Sequence, residues 1–288
     1  MTGAGGLLGC RLVEVLPERY EVIPTHNTQP MQPNSIRIDV VDRRSVFKVL
    51  DEFRPSVVVH AAAETNVDKC EKHKEWAWNV NVEGTRNVAE GCAKIGAKLV
   101  YVSTDYVFDG SRGLYREDDR PNPVNYYGST KLEGEESVRE SCLDFVIART
   151  SVLYGWHPRK PNFGTWVIDS LRNGRAIDVV SDHYNSPTLA DNMAEIILGV
   201  VESDLTGVYH IAGRERISRY EFAVKIAEMF ELDRSLIASV KMDDLKIWIA
   251  RRPRDSSLSV DKIHQKTRVQ PMSLNIALKM MKNSFKSM

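Results

Sequence analysis

The chain is poor in cysteine. Only four stand among its 288 residues, and no two form a C-x-x-C pair. Cys10, Cys70, Cys92 and Cys142 are too scattered for a disulfide framework or a zinc site, and they read as buried or incidental thiols of a reducing compartment. The histidines make no H-E-x-x-H. Cys70 and His73 have metal-ligand spacing but no second pair, so that stretch reads as a solvated helix face and no metal site is expected. No apolar run approaches the roughly 18 residues of a membrane helix, and no charged-then-apolar signal opens the chain. These absences predict a soluble, cytoplasmic protein that does not engage a membrane. Net charge is missing as well, with 39 Lys and Arg against 39 Asp and Glu, which argues against a nucleic-acid partner. The charges are uneven, however. From Lys241 onward 11 basic residues face four acidic ones. A basic tail on an acidic body suits an anionic small ligand.

What is present is ordinary globular composition, 42% hydrophobic and 27% charged, which excludes a disordered or fibrous chain. Apolar runs alternate with helical periods through the first half. Tyr20 to Thr25, Ser56 to His60, Lys98 to Ser103 and Asp144 to Arg149 read as strands. Helices are predicted over Leu7–Leu16, Asp42–Phe53, Glu75–Lys94 and Tyr126–Ser141. β-branched runs such as Ser56-Val-Val-Val-His60 suit strands buried on both faces. The expectation is an α/β fold, a doubly wound parallel Rossmann sheet with a smaller α/β substrate-binding lobe. Residues 1–150 would form the first lobe. Residues 151–288 would form mainly the second, with some segments returning to the first. In the second half the spacing predicts a helix over Thr188–Val201, a strand over Gly207–Ile211, a capping box at Ser218 and Glu221, and a last helix capped by Ser273.

Gly3, Gly6 and Gly9 form a G-x-x-G-x-x-G pattern that leads into an amphipathic helix. Missing side chains let backbone N–H groups, including those of Leu7 and Leu8, approach a pyrophosphate at a helix N-terminus. Such a loop should follow a buried central strand, and only Met1 and Thr2 precede it. The pattern therefore predicts about five to seven further apolar residues ahead of Met1 in the native protein, unless Tyr20 to Thr25 or another segment closes the gap. The second strand ends Thr25-His26-Asn27 with no carboxylate to repel a 2′-phosphate, which leans the cofactor toward NADPH, with NADH possible.

Tyr127-Gly-Ser-Thr-Lys131 places a phenol and an ammonium on one helix face. Free tyrosine titrates near pH 10, and a nearby ammonium brings it toward working pH for proton transfer. Thr104 lies just past a buried strand, where its hydroxyl could polarise the same substrate oxygen.

With these residues the sequence resembles the extended short-chain dehydrogenase/reductase superfamily, and within it the dTDP-4-dehydrorhamnose reductase family. The resemblance covers almost the whole chain. It rests on the Thr2 to Gly9 loop, Asp39-Val40, His60 to Lys69, Ser103-Thr-Asp-Tyr-Val-Phe-Asp-Gly110, Asn125 to Lys131, Arg149-Thr-Ser151, Ser186-Pro-Thr188 and Arg252 to Leu258. It implies a pyrophosphate held by Gly3, Gly6 and Gly9, an adenine bordered by Asp39 and Val40, and a cofactor centre against Ala61, Ala62 and Ala63. Thr104, Tyr127 and Lys131 would be the catalytic trio, the latter two also meeting the cofactor. Thr104, Asp105, Trp156 and Arg252 would face the substrate, with Arg252 toward a nucleotide-sugar diphosphate.

The implied reaction is NADPH-dependent reduction of a dTDP-4-keto-6-deoxy sugar. A homodimer is possible, and a role for Mg²⁺ is left open. Two features depart from the family. Val152 stands where an aromatic residue often follows Arg-Thr-Ser, and Trp156 is either its substitute or a core residue. Asp105 is followed by Tyr106 instead of the second carboxylate of sugar-nucleotide dehydratases, so Asp105 reads as structural and dehydration is disfavoured. An epimerase stays open. So does a regulatory subunit like the β subunit of methionine adenosyltransferase, which also resembles this family and keeps the Tyr and Lys.

Overall fold

The computed structural model describes residues 1–285 apart from 33 and 246. Four parallel strands form its central sheet, in the spatial order Gly207–His210, Phe145–Thr150, Lys98–Thr104, Val57–His60. Thr2 extends this sheet by a parallel bridge to His60, and beyond it lie Thr25–His26 and its parallel partner Ile36–Arg37. The chain therefore winds outward in one direction from Met1–Thr2 and in the other from Val57–His60. The gap between those two segments is the switch point where such sheets bind ligands.

Side chains alternate across the sheet. Val100, Val146 and Ala148 point to one face, where Leu8, Leu12, Met193 and Ile197 cover them. Leu99, Tyr101 and Ile147 point to the other, under Val46, Leu50, Val88 and Val138. Burial on both sides is why these strands read as unbroken apolar runs. A separate core gathers Tyr154, Val167, Phe222, Ile226 and Leu278 around the parallel strands Ile177–Val180 and Ile237–Val240. Ser218 and Glu221 form the expected capping box ahead of the helix Arg219–Phe230, and Ser273 O accepts from Ala277 N at the start of Leu274–Phe285.

Four expectations need correction. The strand foreseen from Tyr20 to Thr25 shrinks to Thr25–His26. Met1 and Thr2 occupy the central slot, bonding Thr25 N to Met1 O at 2.9 Å and Thr2 N to Val59 O at 3.0 Å, so only residues level with them gain a ladder partner. A cavity of about 270 Å³ continues the slot, lined by Leu16, Tyr20, Val22 and Val57 among others. The helix foreseen over Glu75–Lys94 is interrupted by a π-turn at Asn79–Glu83, between Lys74–Trp78 and Gly84–Ile95. Tertiary bonds hold the Asn81 side chain there: it accepts from Glu64 N at 2.8 Å and donates to Thr130 Oγ1 at 3.0 Å. The helix foreseen from Thr188 starts at Ala190, because Thr188 and Leu189 pair with Leu153 and Tyr154. Cys70, placed on a solvated face, is fully buried, and its thiol donates to Glu64 O.

One buried ion pair ties the helix Tyr126–Ser141 to the sheet. Glu135 accepts from Arg149 through both oxygens at 2.9 and 2.7 Å, and from Ser103 Oγ at 2.6 Å. Arg149 is 1% exposed and Glu135 is fully enclosed. Such a pair adds little net stability, but breaking it strands a charge. Glu135→Ala should cost about 3–5 kcal/mol in urea denaturation; a loss well under 1 kcal/mol would contradict the pairing.

Candidate active site

The glycine loop fits an anion by shape. Gly3 has φ +72°, and a Cβ there would lie 2.7 Å from Ala61 C and Ala62 N. A Cβ on Gly9 would strike the Gly3 carbonyl oxygen. The loop thus folds tightly against the end of Val57–His60, a backbone approach that side chains would block. Gly6 is the N-cap of Leu7–Val15, which has no side-chain cap and no acidic residue in its first turn. Its leading N–H groups stay available to an anion. Leu8 contributes backbone only, since its side chain is in the core. Asp39 spends one carboxylate oxygen on Val41 N at 3.1 Å, while Val40 is buried against Gly84. Ala61, Ala62 and Ala63 follow the strand end, half-buried.

At the far corner of this cleft Thr25 is 4% exposed, so its side chain is a poor donor to a 2′-phosphate. His26 is bound to Ser35 Oγ at 2.9 Å. Arg37, which sequence reasoning passed over, is exposed here and donates to Asn27 O at 3.2 Å. Only the register pairing Arg37 with His26 reveals it.

Two segments deliver the trio. Lys98–Thr104 ends at Thr104, and the helix Tyr126–Ser141, capped by Asn125 through Gly128 N at 2.8 Å, carries Tyr127 and Lys131. Thr104 and Tyr127 lie within hydrogen-bonding reach of each other. The Lys131 ammonium donates to Val102 O at 2.8 Å and rests 4.1 Å from the Tyr101 ring centre. Burial raises the Tyr127 pKa above that of a free phenol despite the Thr104 contact. Burial also brings Lys131 down to about 7, against the pull of Glu135. The expectation that Lys131 draws the phenol toward neutral pH is therefore corrected for this arrangement. Desolvation dominates, and Tyr127 remains a protonated donor.

The other expected substrate residues divide. Asp105 is 2% exposed, and its carboxylate accepts from Thr104 at 3.0 Å, Ser151 at 2.8 Å and Ser256 at 2.5 Å. It holds Thr104 in place and has no oxygen to offer the cleft. Trp156 packs edge-on to Phe230, and its indole N–H donates to Met281 O at 2.7 Å, which makes it part of the second core. Arg252 is not a loose surface residue: its guanidinium engages both oxygens of Asp68, at 3.1 and 3.0 Å, and covers the Trp248 ring. Val152 adopts φ +44°, a strained conformation for a β-branched residue, where the chain leaves the central sheet. Among the described residues no group of three or more His, Cys, Asp or Glu could hold a metal ion, and no helix is long and apolar enough to cross a membrane.

A glycine cradle at a sheet switch point, with a hydroxyl, a phenol and an ammonium beside it, defines the extended short-chain dehydrogenase/reductase class. Within that class the chain belongs to the RmlD substrate binding domain family, whose pattern matches residues 1–287. It is 32% identical to dTDP-4-dehydrorhamnose reductase of Aggregatibacter actinomycetemcomitans, over 97% of this chain and 96% of that protein. It is also 33% identical to methionine adenosyltransferase 2 subunit beta of Bos taurus, over 91% of this chain and 80% of that one. Among solved structures, dTDP-4-dehydrorhamnose reductase from Bacillus anthracis in complex with NADP superposes with a TM-score of 0.90 at 33% identity, covering 98% and 97% of the two chains. A UDP-glucose 4-epimerase from Thermus thermophilus, at 21% identity and TM-score 0.80 over 99% and 97% of the chains, shares the fold.

The low Lys131 pKa has a consequence for stability. In the unfolded chain the amine titrates at 10.5 and in the folded protein at about 7. Folding is penalised while both states are charged, below pH 7, and the penalty fades as pH rises from about 7 toward 10.5. Lys131→Met should therefore stabilise the protein more at about pH 6 than at about pH 9.5 in urea denaturation. An equal gain at both would show that Lys131 keeps an ordinary pKa.

Proposed function

We propose that this protein reduces the C4 ketone of dTDP-4-dehydro-β-L-rhamnose to dTDP-L-rhamnose, with NADPH as reductant. The observation that carries the reading is the meeting of Thr104 and Tyr127 beside the glycine cradle. The relatives named dTDP-4-dehydrorhamnose reductase support the substrate. Gly3, Gly6, Gly9 and the first turn of Leu7–Val15 would hold the cofactor pyrophosphate. Arg37 supports NADPH by supplying a cation at the ribose corner. When bound, the nicotinamide supplies the hydride.

The chain's own residues do the rest. Thr104 turns its hydroxyl hydrogen from Asp105 toward the ketone oxygen and donates a hydrogen bond to it, keeping its own proton. Tyr127, kept protonated by burial, gives its proton to the oxygen as negative charge develops there. Lys131 is oriented by Val102 O toward the same helix face and neutralises the phenolate left behind. Positioning of these groups supplies the larger share of the rate, and proton donation about 10²–10⁴-fold.

A second reading is favoured by the identity to the methionine adenosyltransferase subunit. In it the same cleft binds the dinucleotide and the chain serves a synthetase as a regulatory partner. Absorbance of NADPH with a dTDP-4-keto-6-deoxy sugar separates the two, since only a reductase consumes the cofactor. Tyr127→Phe should lower that turnover by about 10²–10⁴-fold while NADPH affinity stays within about threefold. Near-normal turnover in the variant would refute the proton-donor role. A wild-type chain that never oxidises NADPH but co-purifies with a synthetase would favour the second reading.

A further inference from the structure

The cleft holds a second arginine that the sequence reading passed over. Arg219 opens the helix Arg219–Phe230, and its side chain runs inward. Nε donates to Asn185 Oδ1 at 2.8 Å, the guanidinium carbon lies 4.9 Å from the Phe163 ring centre, and the group is close enough to Tyr106 to interact with its hydroxyl. Tyr106 meets Tyr127 edge-on, with ring centres 6.0 Å apart. Arg219 is therefore one side chain removed from the trio, and Arg252 is near enough to disfavour its charge.

The charge is the unusual part. Arg149 is paired with Glu135, Arg216 with Asp255 and Arg252 with Asp68. Among the described residues no carboxylate lies within ion-pair distance of Arg219. Asp105 is the acid it senses, but that carboxyl is committed to three hydroxyls, and burial pushes its pKa up toward the neutral form. Arg219 is only half-buried by exposed area, yet its surroundings are close enough for desolvation to lower its own pKa. That combination describes a cation recessed in a cleft, where an incoming anion compensates a charge the protein leaves unbalanced. Asn185 takes one donor and so aims the rest of the guanidinium fork.

We propose that Arg219 is a substrate-binding residue that, together with Arg252, holds the diphosphate of the nucleotide sugar one sugar ring away from Thr104 and Tyr127. The assignment rests on the nucleotide-sugar reading above and adds to it the residue that grips the anionic linkage. Charge-assisted contacts of this kind predict a specific pattern. Arg219→Gln should raise KM for the dTDP-4-keto-6-deoxy sugar roughly 10- to 100-fold, with a smaller change in kcat. In calorimetric titrations it should weaken dTDP by the same factor and leave thymidine, which lacks the diphosphate, unmoved. Arg219→Lys keeps the charge but not the fork and should recover part of the loss; if Arg219→Gln does not fold, the lysine variant carries the test through the same dTDP-against-thymidine comparison. An unchanged KM, or equal losses for dTDP and thymidine, would overturn the assignment while leaving the reductase reading intact. A wild-type chain that binds neither dTDP nor any dTDP-sugar would overturn both.

Discussion

The enclosed carboxylate of Asp105 is the constraint on which the catalytic cleft depends. It accepts from Thr104, from Ser151 at the end of the neighbouring strand, and from Ser256 in the C-terminal segment, with Asn185 at 3.5 Å. Four stretches far apart in sequence converge on two oxygen atoms. A carboxylate excluded from water is costly unless its lone pairs are filled, and here hydroxyls fill them without adding countercharge. The result is a rigid floor: Thr104 is fixed at the strand end, Asn185 is turned toward Arg219, and the basic C-terminal segment is drawn over the cleft.

Around that floor burial governs the electrostatics more than the pairwise charges do. The same desolvation that keeps Tyr127 protonated lowers Lys131 to about 7 and takes His60 to about 3. His60 is held neutral between Thr2 and Thr85, at 2.6 and 3.1 Å, directly under the switch point. A proton donor for ketone reduction benefits from this setting. The phenol arrives charged with its proton, and the site spends no charge on holding it so. Of the two arginines beyond the trio, Arg252 is paired with Asp68, while Arg219 is held by the neutral side chain of Asn185.

The architecture was legible in the sequence, and so was the spacing of Tyr127 and Lys131 on one helix, because both are periodic or local. Buried strands such as Val57–His60 are continuous β-branched runs, the helix Tyr126–Ser141 matches its pattern to the residue, and Tyr127 and Lys131 are one turn apart. Asp105 was readable as a structural residue because a second carboxylate is missing after it. What could not be read there was which hydroxyls it would collect. Ser151 and Ser256 are 46 and 151 residues away, and nothing in their local sequence announces the partner.

Sequence alone therefore determined most of the elements of this protein and the spacing of its short motifs, since hydrogen bonding within a turn and burial of one face act over a few residues. Tertiary structure decided the rest. It broke the helix at Asn79–Glu83 through bonds from Asn81 to Glu64 and Thr130, and it sent Trp156 into a core. It also set Arg252 against Asp68, brought Arg37 beside Asn27, and bound Arg219 to Asn185 with, among the described residues, no carboxylate at ion-pair distance. Each of these depends on which distant group shares a low-dielectric space, and charge and desolvation energies are properties of that space and not of the residue type.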